Sequence, residues 1–271
     1  MNTLLIVMAL AIQPAVDGYV AEIQKWRAGR EAALRADDGW LSVAGLYWLK
    51  EGINTAGSAA SNDIVLPGAA PPRLGRFELK RQTVTFTAAP GVAAAEHEGL
   101  VRFGPLTMFP IKRGDRHAIR LRDTENARRR EFRGLRWYPV KPEYRVRGRF
   151  IPHDERRVEI ANVLGGTFEM INPGRIELTI DGHTVRLEAL YETDEKEEFF
   201  LIFRDRTSET ETYHAGRYLY ADLPKTGSGA VVVDFNRAYS PPCAFTDYAT
   251  CPLPPPQNQL PFRIPAGEKR P

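Results

Sequence analysis

The chain has 271 residues, with 37 basic and 34 acidic side chains. A net charge of +3 excludes a polyanion binder by composition, and the length admits one large domain or two smaller ones. The charge is uneven: residues 112–157 hold 16 basic and 7 acidic side chains, residues 158–271 hold 11 and 17. Acidic residues interrupt the basic run and no nucleic-acid-binding motif accompanies it. The basic centre is therefore expected to face acidic groups of the same molecule, and no nucleic acid is expected as a partner.

At the N-terminus an apolar run, Leu4 to Ala11, follows Met-Asn-Thr. It falls far short of the roughly 20 apolar residues that cross a bilayer, so no membrane span is expected. Its length and the small residues of Ala9-Leu10-Ala11 fit a secretory leader, although no Lys or Arg precedes it. Residues 1–15 are read as that leader, with a periplasmic or secreted protein as the consequence. The alternative is an apolar N-terminal strand in a cytoplasmic protein.

Residues 16–36 read as a helix. Asp17 can cap it, Tyr19, Ile23, Trp26 and Leu34 form one apolar stripe, and Asp38-Gly39 ends it. Beyond it, helical periodicity gives way to short β-rich runs: Leu74–Leu79, Thr83–Thr87, Leu100–Phe103, His117–Leu121 and Glu143–Phe150, then Arg175–Ile180, Thr184–Tyr191, Phe199–Phe203, Gly216–Tyr220 and Ala230–Phe235. Asp181-Gly182 reads as a tight hairpin turn, and Lys225 to Gly229 as a second interstrand loop. The fold expected is mainly β: two packed sandwich-like or barrel-like units, residues 37–125 and 126–271, with an N-terminal helix and a C-terminal strap. The strap begins at Pro241, where eight prolines fall before residue 266 and exclude a central strand. Phe245, Tyr248, Leu253, Leu260, Phe262 and Ile264 give it apolar anchors.

Cys243 and Cys251 are spaced C-x7-C, which is neither a metal knuckle nor a redox C-x-x-C. In an exported chain they are expected to form one structural disulfide. The histidines, His97, His117, His153, His183 and His214, show no metal-ligand spacing, and the phosphate-binding glycine loops are absent. No metal and no cofactor is expected. The G-x-S-x-G elbow is absent too.

One polar constellation remains: Glu211, Tyr213, His214 and Arg217, then Asp234, Asn236 and Arg237. If the two runs pair as a hairpin, Arg217 would bind an anionic group, Asp234 or Glu211 would act as base, and Asn236 would orient. Asn258 and Glu268 of the strap would close over the place. The competing reading is a buried Arg217–Asp234 ion pair that fixes the sheet. The four tryptophans, Trp26, Trp40, Trp48 and Trp137, could stack on sugars, but three are accounted for by the helix stripe and an apolar stretch. Two functions follow: a small hydrolase of an anionic or sugar-like substrate, or a non-enzymatic envelope module binding glycan or protein; a small molecule or a glycan is the ligand expected.

The tail Asp234-Phe235-Asn236-Arg237-Ala238-Tyr239-Ser240-Pro241-Pro242-Cys243-Ala244-Phe245, with Cys251-Pro252-Leu253-Pro254-Pro255 and Ala266-Gly267-Glu268-Lys269, resembles the bacterial and archaeal family called domain of unknown function 1684. Gly39-Trp40-Leu41 and Thr212 to Arg217 extend the resemblance over nearly the whole chain after the leader. His214 departs from it, standing where Gly is common. The resemblance implies a shared fold and no activity. Ser61 to Leu66 with Pro72 to Glu78 also resembles the strand-turn-strand passage of forkhead-associated sandwiches, without the Ser and His that contact phosphopeptides.

Overall fold

The computed structural model describes the backbone of residues 3–271 and side chains from residue 16 onward. The leader expected at residues 1–15 therefore lies outside the residues described with side chains. Helix α1 spans Thr3–Arg35. Its apolar stripe is used as the spacing requires, with Ile23 and Leu34 fully buried.

The chain forms two compact units. The first, a sandwich unit, takes residues 33–133 with 245–248; the second, a barrel unit, takes α1 up to Ala32, residues 134–244 and residues 249–271. The sandwich unit contains β1 (Val43–Trp48), β2 (Gly52–Gly57), β3 (Ile64–Val65), β4 (Gly75–Lys80), β5 (Thr83–Ala88), β6 (Ala95–His97), β7 (Leu100–Phe103), β8 (Leu106–Arg113), β9 (Arg116–Asp123) and the short helix α2 (Ala127–Glu131). Its sheets run β3-β2-β4-β5 and β1-β9-β8-β7-β6. Alternation sends Phe77 of one sheet and Met108, Ile119 and Leu121 of the other into a common core.

The barrel unit contains β10 (Arg145–Ala161), β11 (Thr167–Ile180), β12 (His183–Tyr191), β13 (Glu198–Phe203), β14 (Arg217–Asp222) and β15 (Gly229–Asp234). These form one antiparallel sheet in the order β14-β13-β12-β11-β10-β15. The last strand returns beside the first, so the sheet curls into a half-barrel. Asp181 and Gly182 both adopt positive φ between the paired residues Ile180 and His183, the two-residue turn that matches strand twist. Val146, Ile176, Leu187, Leu201, Leu219 and Val233 fill the interior.

The strap is ordered. It bridges to the rest of the unit at Asn162 with Pro252, Arg204 with Gln259 and Trp137 with Glu268. Leu260, Ile264 and Ala266 enter the barrel core, and Phe262 stacks on His183 with ring centres 4.3 Å apart. Burial of each large apolar side chain is worth about 1.5–3 kcal/mol, enough to hold a segment that makes few ladder bonds. Gly267 has φ +80, and a Cβ there would lie 2.4 Å from the Ala238 carbonyl oxygen, so the strap must carry glycine at this point. Residues 245–248 depart from the expected course over the second unit: they belong to the sandwich unit, where the buried Thr246 hydroxyl donates to the Val43 carbonyl at 3.1 Å.

Candidate functional site

The sequence-predicted site residues separate by face. On β14, Arg217, Leu219 and Ala221 point into the barrel, while Tyr220 and Asp222 point out; on β15, Val231 and Val233 point in and Asp234 points out. Arg217 and Asp234 are consequently not brought together. Arg217 is fully buried and pairs with the fully buried Asp205 at 3.0 Å. It also donates to the strap carbonyls of Ile264, at 3.0 Å, and Ala266. Asp205 in turn accepts from the Ile264 backbone N–H at 2.6 Å and from Thr207 Oγ1 at 2.8 Å. Arg217 thus pins the strap and has no solvent exposure. The expected Arg217–Asp234 pair is replaced by an Arg217–Asp205 pair because the strand phases put the two residues on opposite faces.

The other candidates are similarly occupied. Asn236 is fully buried; its side chain accepts from the Lys141 N–H at 3.0 Å and donates to the Lys141 carbonyl at 2.8 Å and to Tyr19 Oη at 2.9 Å. Asn258, also fully buried, accepts from the Glu188 N–H at 2.7 Å and donates to the carbonyls of Glu188 and Ile202 at 3.0 and 2.9 Å. It bridges β12 and β13, which share a single residue pair. Glu268 is fully buried beside Arg30 of α1, with Oε2 3.3 Å from Arg30 Nε. Burial raises its carboxyl pKa against the pull of Arg30. Glu211 pairs with Arg263; burial works to raise its pKa, but the hydrogen bond and charge of Arg263 outweigh it and hold the group below the usual range. His214 is exposed against the Tyr213 ring, 4.5 Å between centroids.

Cys243 and Cys251 lie side by side, the Cys243 N–H donating to Cys251 Sγ at 3.1 Å. Both are free thiols in this structure, adjacent as the pairing expected from sequence requires. The hydrogen bond from Cys251 lowers the Cys243 pKa, and the same contact together with burial raises that of Cys251.

Two residues of the predicted constellation, Asp234 and Arg237, line one cavity. That cavity, about 420 Å³, lies between α1 and the outer face of the half-barrel. One face of α1 borders it: Glu22 and Trp26 line it, and Tyr19, at helical spacing before them, reaches Asp234. Tyr19 Oη donates to both oxygens of Asp234, at 2.8 and 2.9 Å, and Glu22 pairs with Arg237. Burial and the Asp234 contact hold the Tyr19 hydroxyl well above its ordinary pKa, so it remains a donor. Trp26 and Tyr239 form one wall, 6.5 Å between ring centroids. Tyr220 and Asp222 of β14 and Glu198 of β13 form the opposite side, and Arg145 of β10 lies near Asp234. Sequence reasoning missed Glu22, Arg145, Glu198, Tyr220, Asp222 and Tyr239, which come from three strands, a helix and the segment between β15 and the strap and share no linear spacing. Among the described residues, no three His, Cys, Asp or Glu side chains are grouped as a metal site requires.

The family model described as "Protein of unknown function (DUF1684)" matches residues 130–269. The chain belongs to this family. The family's matched segment holds every cavity residue except Glu22 and Trp26, which α1 contributes. The solution NMR structure of an uncharacterized protein from gene locus rrnAC0354 of Haloarcula marismortui is 31% identical, covering 52% of this chain and 78% of that chain, with a TM-score of 0.45. No curated protein matches.

Proposed function

We propose that the protein is a ligand-binding module whose site is the cavity under α1, and that it is not a hydrolase. What carries this reading is the fate of the polar residues: Arg217, Asn236, Asn258 and Glu268 are spent on structural bonds, whereas an aromatic-walled cavity of small-molecule size stands open beside them. A hydrolase of the expected kind needs an anion-binding arginine and a base in one solvent-reached place, and Arg217 has no solvent exposure. The apolar run at residues 4–11 and the neighbouring thiols support a module that works after export.

The test is a thermal-shift and tryptophan-fluorescence screen of small charged and neutral metabolites, on the intact chain and on Trp26→Phe. Ligands of the cavity raise the melting temperature, and their fluorescence change is lost in the variant. Turnover of chromogenic esters or glycosides that disappears in Asp234→Asn would overturn the reading in favour of a hydrolase.

A further inference from the structure

Resting on that binding reading, we infer that the Cys243–Cys251 pair is a redox switch of the cavity: bridging the sulfurs tightens the Tyr239 wall, and reducing them loosens it. Each cysteine is joined to Tyr239 by a short route. From Cys243 the route is covalent, through Pro242, Pro241 and Ser240. Two consecutive prolines fix φ and leave little slack in so short a link. Ser240 is fully buried, and its carbonyl accepts from Arg30 at 2.8 Å.

From Cys251 the route crosses to β14. The next residue, Pro252, accepts from the Tyr218 hydroxyl at 2.9 Å. Tyr218 exchanges both backbone hydrogen bonds with Tyr239, each 2.9 Å, and the two rings meet edge-on with centroids 5.9 Å apart. Phe200 packs on Tyr218 at 4.9 Å and on Tyr220, another cavity residue, at 5.0 Å. Burial first, then the neighbouring sulfurs, hold the Tyr218 hydroxyl above its ordinary pKa, so the phenol stays a donor. The two routes therefore meet at Tyr239, which lines the cavity beside Trp26.

The sulfurs are placed for exchange: Cys243 is half-buried and accessible, Cys251 is buried behind it. The oxidant is a low-molecular-weight disulfide. The Cys243 thiolate attacks one of its sulfurs and releases one small thiol; Cys251 then attacks the Cys243 sulfur of the mixed disulfide and releases the second. Two S–H bonds are lost, one S–S bond forms, and the two electrons and two protons end on the released thiols. In the reduced protein a single hydrogen bond, from the Cys243 N–H to the Cys251 sulfur at 3.1 Å, joins the two routes at this end. In the bridged protein they close into a ring, with the disulfide at one end and the Tyr218–Tyr239 backbone pair at the other. A wall held in that ring has less freedom to lose when a ligand settles on it, so the bridged form binds more tightly.

The experiment compares the full chain oxidised with glutathione disulfide and the full chain held in dithiothreitol, the bridge being verified by mass. Acrylamide quenching of Trp26 is read well below the melting temperature of either state, as the difference between the intact chain and Trp26→Phe. Quenching of Trp26 is expected to be at least twofold weaker in the bridged chain. Cys243→Ser should show no difference between the two conditions. Tyr218→Phe keeps the ring and the bridge but loses the bond to Pro252, and should shrink the difference by at least half. Equal quenching in the two states would overturn the switch and leave the binding module standing. A difference that persists in Cys243→Ser, or is undiminished in Tyr218→Phe, would overturn it as well. A ligand found by the screen is expected to bind the bridged chain with a Kd at least threefold lower, and equal Kd values would also overturn the switch. A screen empty in both states would overturn the binding module and, with it, any redox control of binding, whatever the quenching shows.

Discussion

Asp205 and Arg217 lie 3.0 Å apart with neither side chain exposed, and both reach the same stretch of the strap. Asp205 accepts the Ile264 N–H while Arg217 donates to the Ile264 and Ala266 carbonyls, so the pair supplies backbone partners to a segment whose prolines exclude it from a ladder. Desolvating two charges offsets much of their attraction, but removing one partner strands the other. Arg217→Met is therefore expected to cost about 3–5 kcal/mol, read from urea unfolding. Asp205→Asn combined with Arg217→Met should recover part of that loss, because no buried charge is left uncompensated. A double variant as unstable as the sum of the single ones would contradict the pairing.

How much of this was legible from sequence depends on the element. Strand β12 and the Asp181-Gly182 turn are legible because alternation and turn chemistry are local. Strand β8 is hidden by Pro110, which sits inside it opposite Ile119. The middle of β10, with Pro152 and the charged, exposed run from Asp154 to Arg157, is hidden because apolar alternation is interrupted there and resumes only at Val158 and Ile160. The site was less legible than the fold. Arg217 and Asp234 are close in the pattern, but which face each takes depends on strand phase across a six-residue connection, Leu223 to Ser228, and a one-residue shift reverses the answer. Asn258 illustrates the opposite case: its role between β12 and β13 exists only because those strands diverge, and nothing local in the strap announces it.

The buried Glu268 gives the protein a pH dependence of definite sign. Its folded pKa is raised above the ordinary glutamate value of 4.5, chiefly by burial. A raised carboxyl pKa means that the folded state prefers the protonated form. The associated stability is present below pH 4.5 and is lost as pH rises through the folded pKa. Glu268→Gln does not titrate. Across a urea-unfolding series from pH 4 to pH 8, the wild-type midpoint is therefore expected to fall relative to that of Glu268→Gln as pH rises (a range set by the ordinary carboxylate value). Parallel midpoints over that range would mean that Arg30 cancels the cost of burial.

The thiol pair sets the last expectation. Cys243 is half-buried with its pKa lowered by the hydrogen bond from Cys251, while Cys251 is buried with its pKa raised. The thiolate is the reactive form, so limited alkylation at neutral pH should label Cys243 first and leave Cys251 until the protein unfolds. Incubation with a small soluble disulfide should proceed in the same order. The Cys243 thiolate attacks and forms a mixed disulfide, then Cys251 displaces the small thiol as the leaving group. The protein loses two hydrogens in total, and two small thiols are released per bridge. Closing so short a loop restricts the unfolded chain and should stabilise the folded one by about 2–3 kcal/mol. Mass spectrometry after the reaction and a melting curve with and without reductant check both halves. Preferential labelling of Cys251, or oxidised protein that melts no higher than reduced protein, would show that the two sulfurs are neighbours without being a working pair.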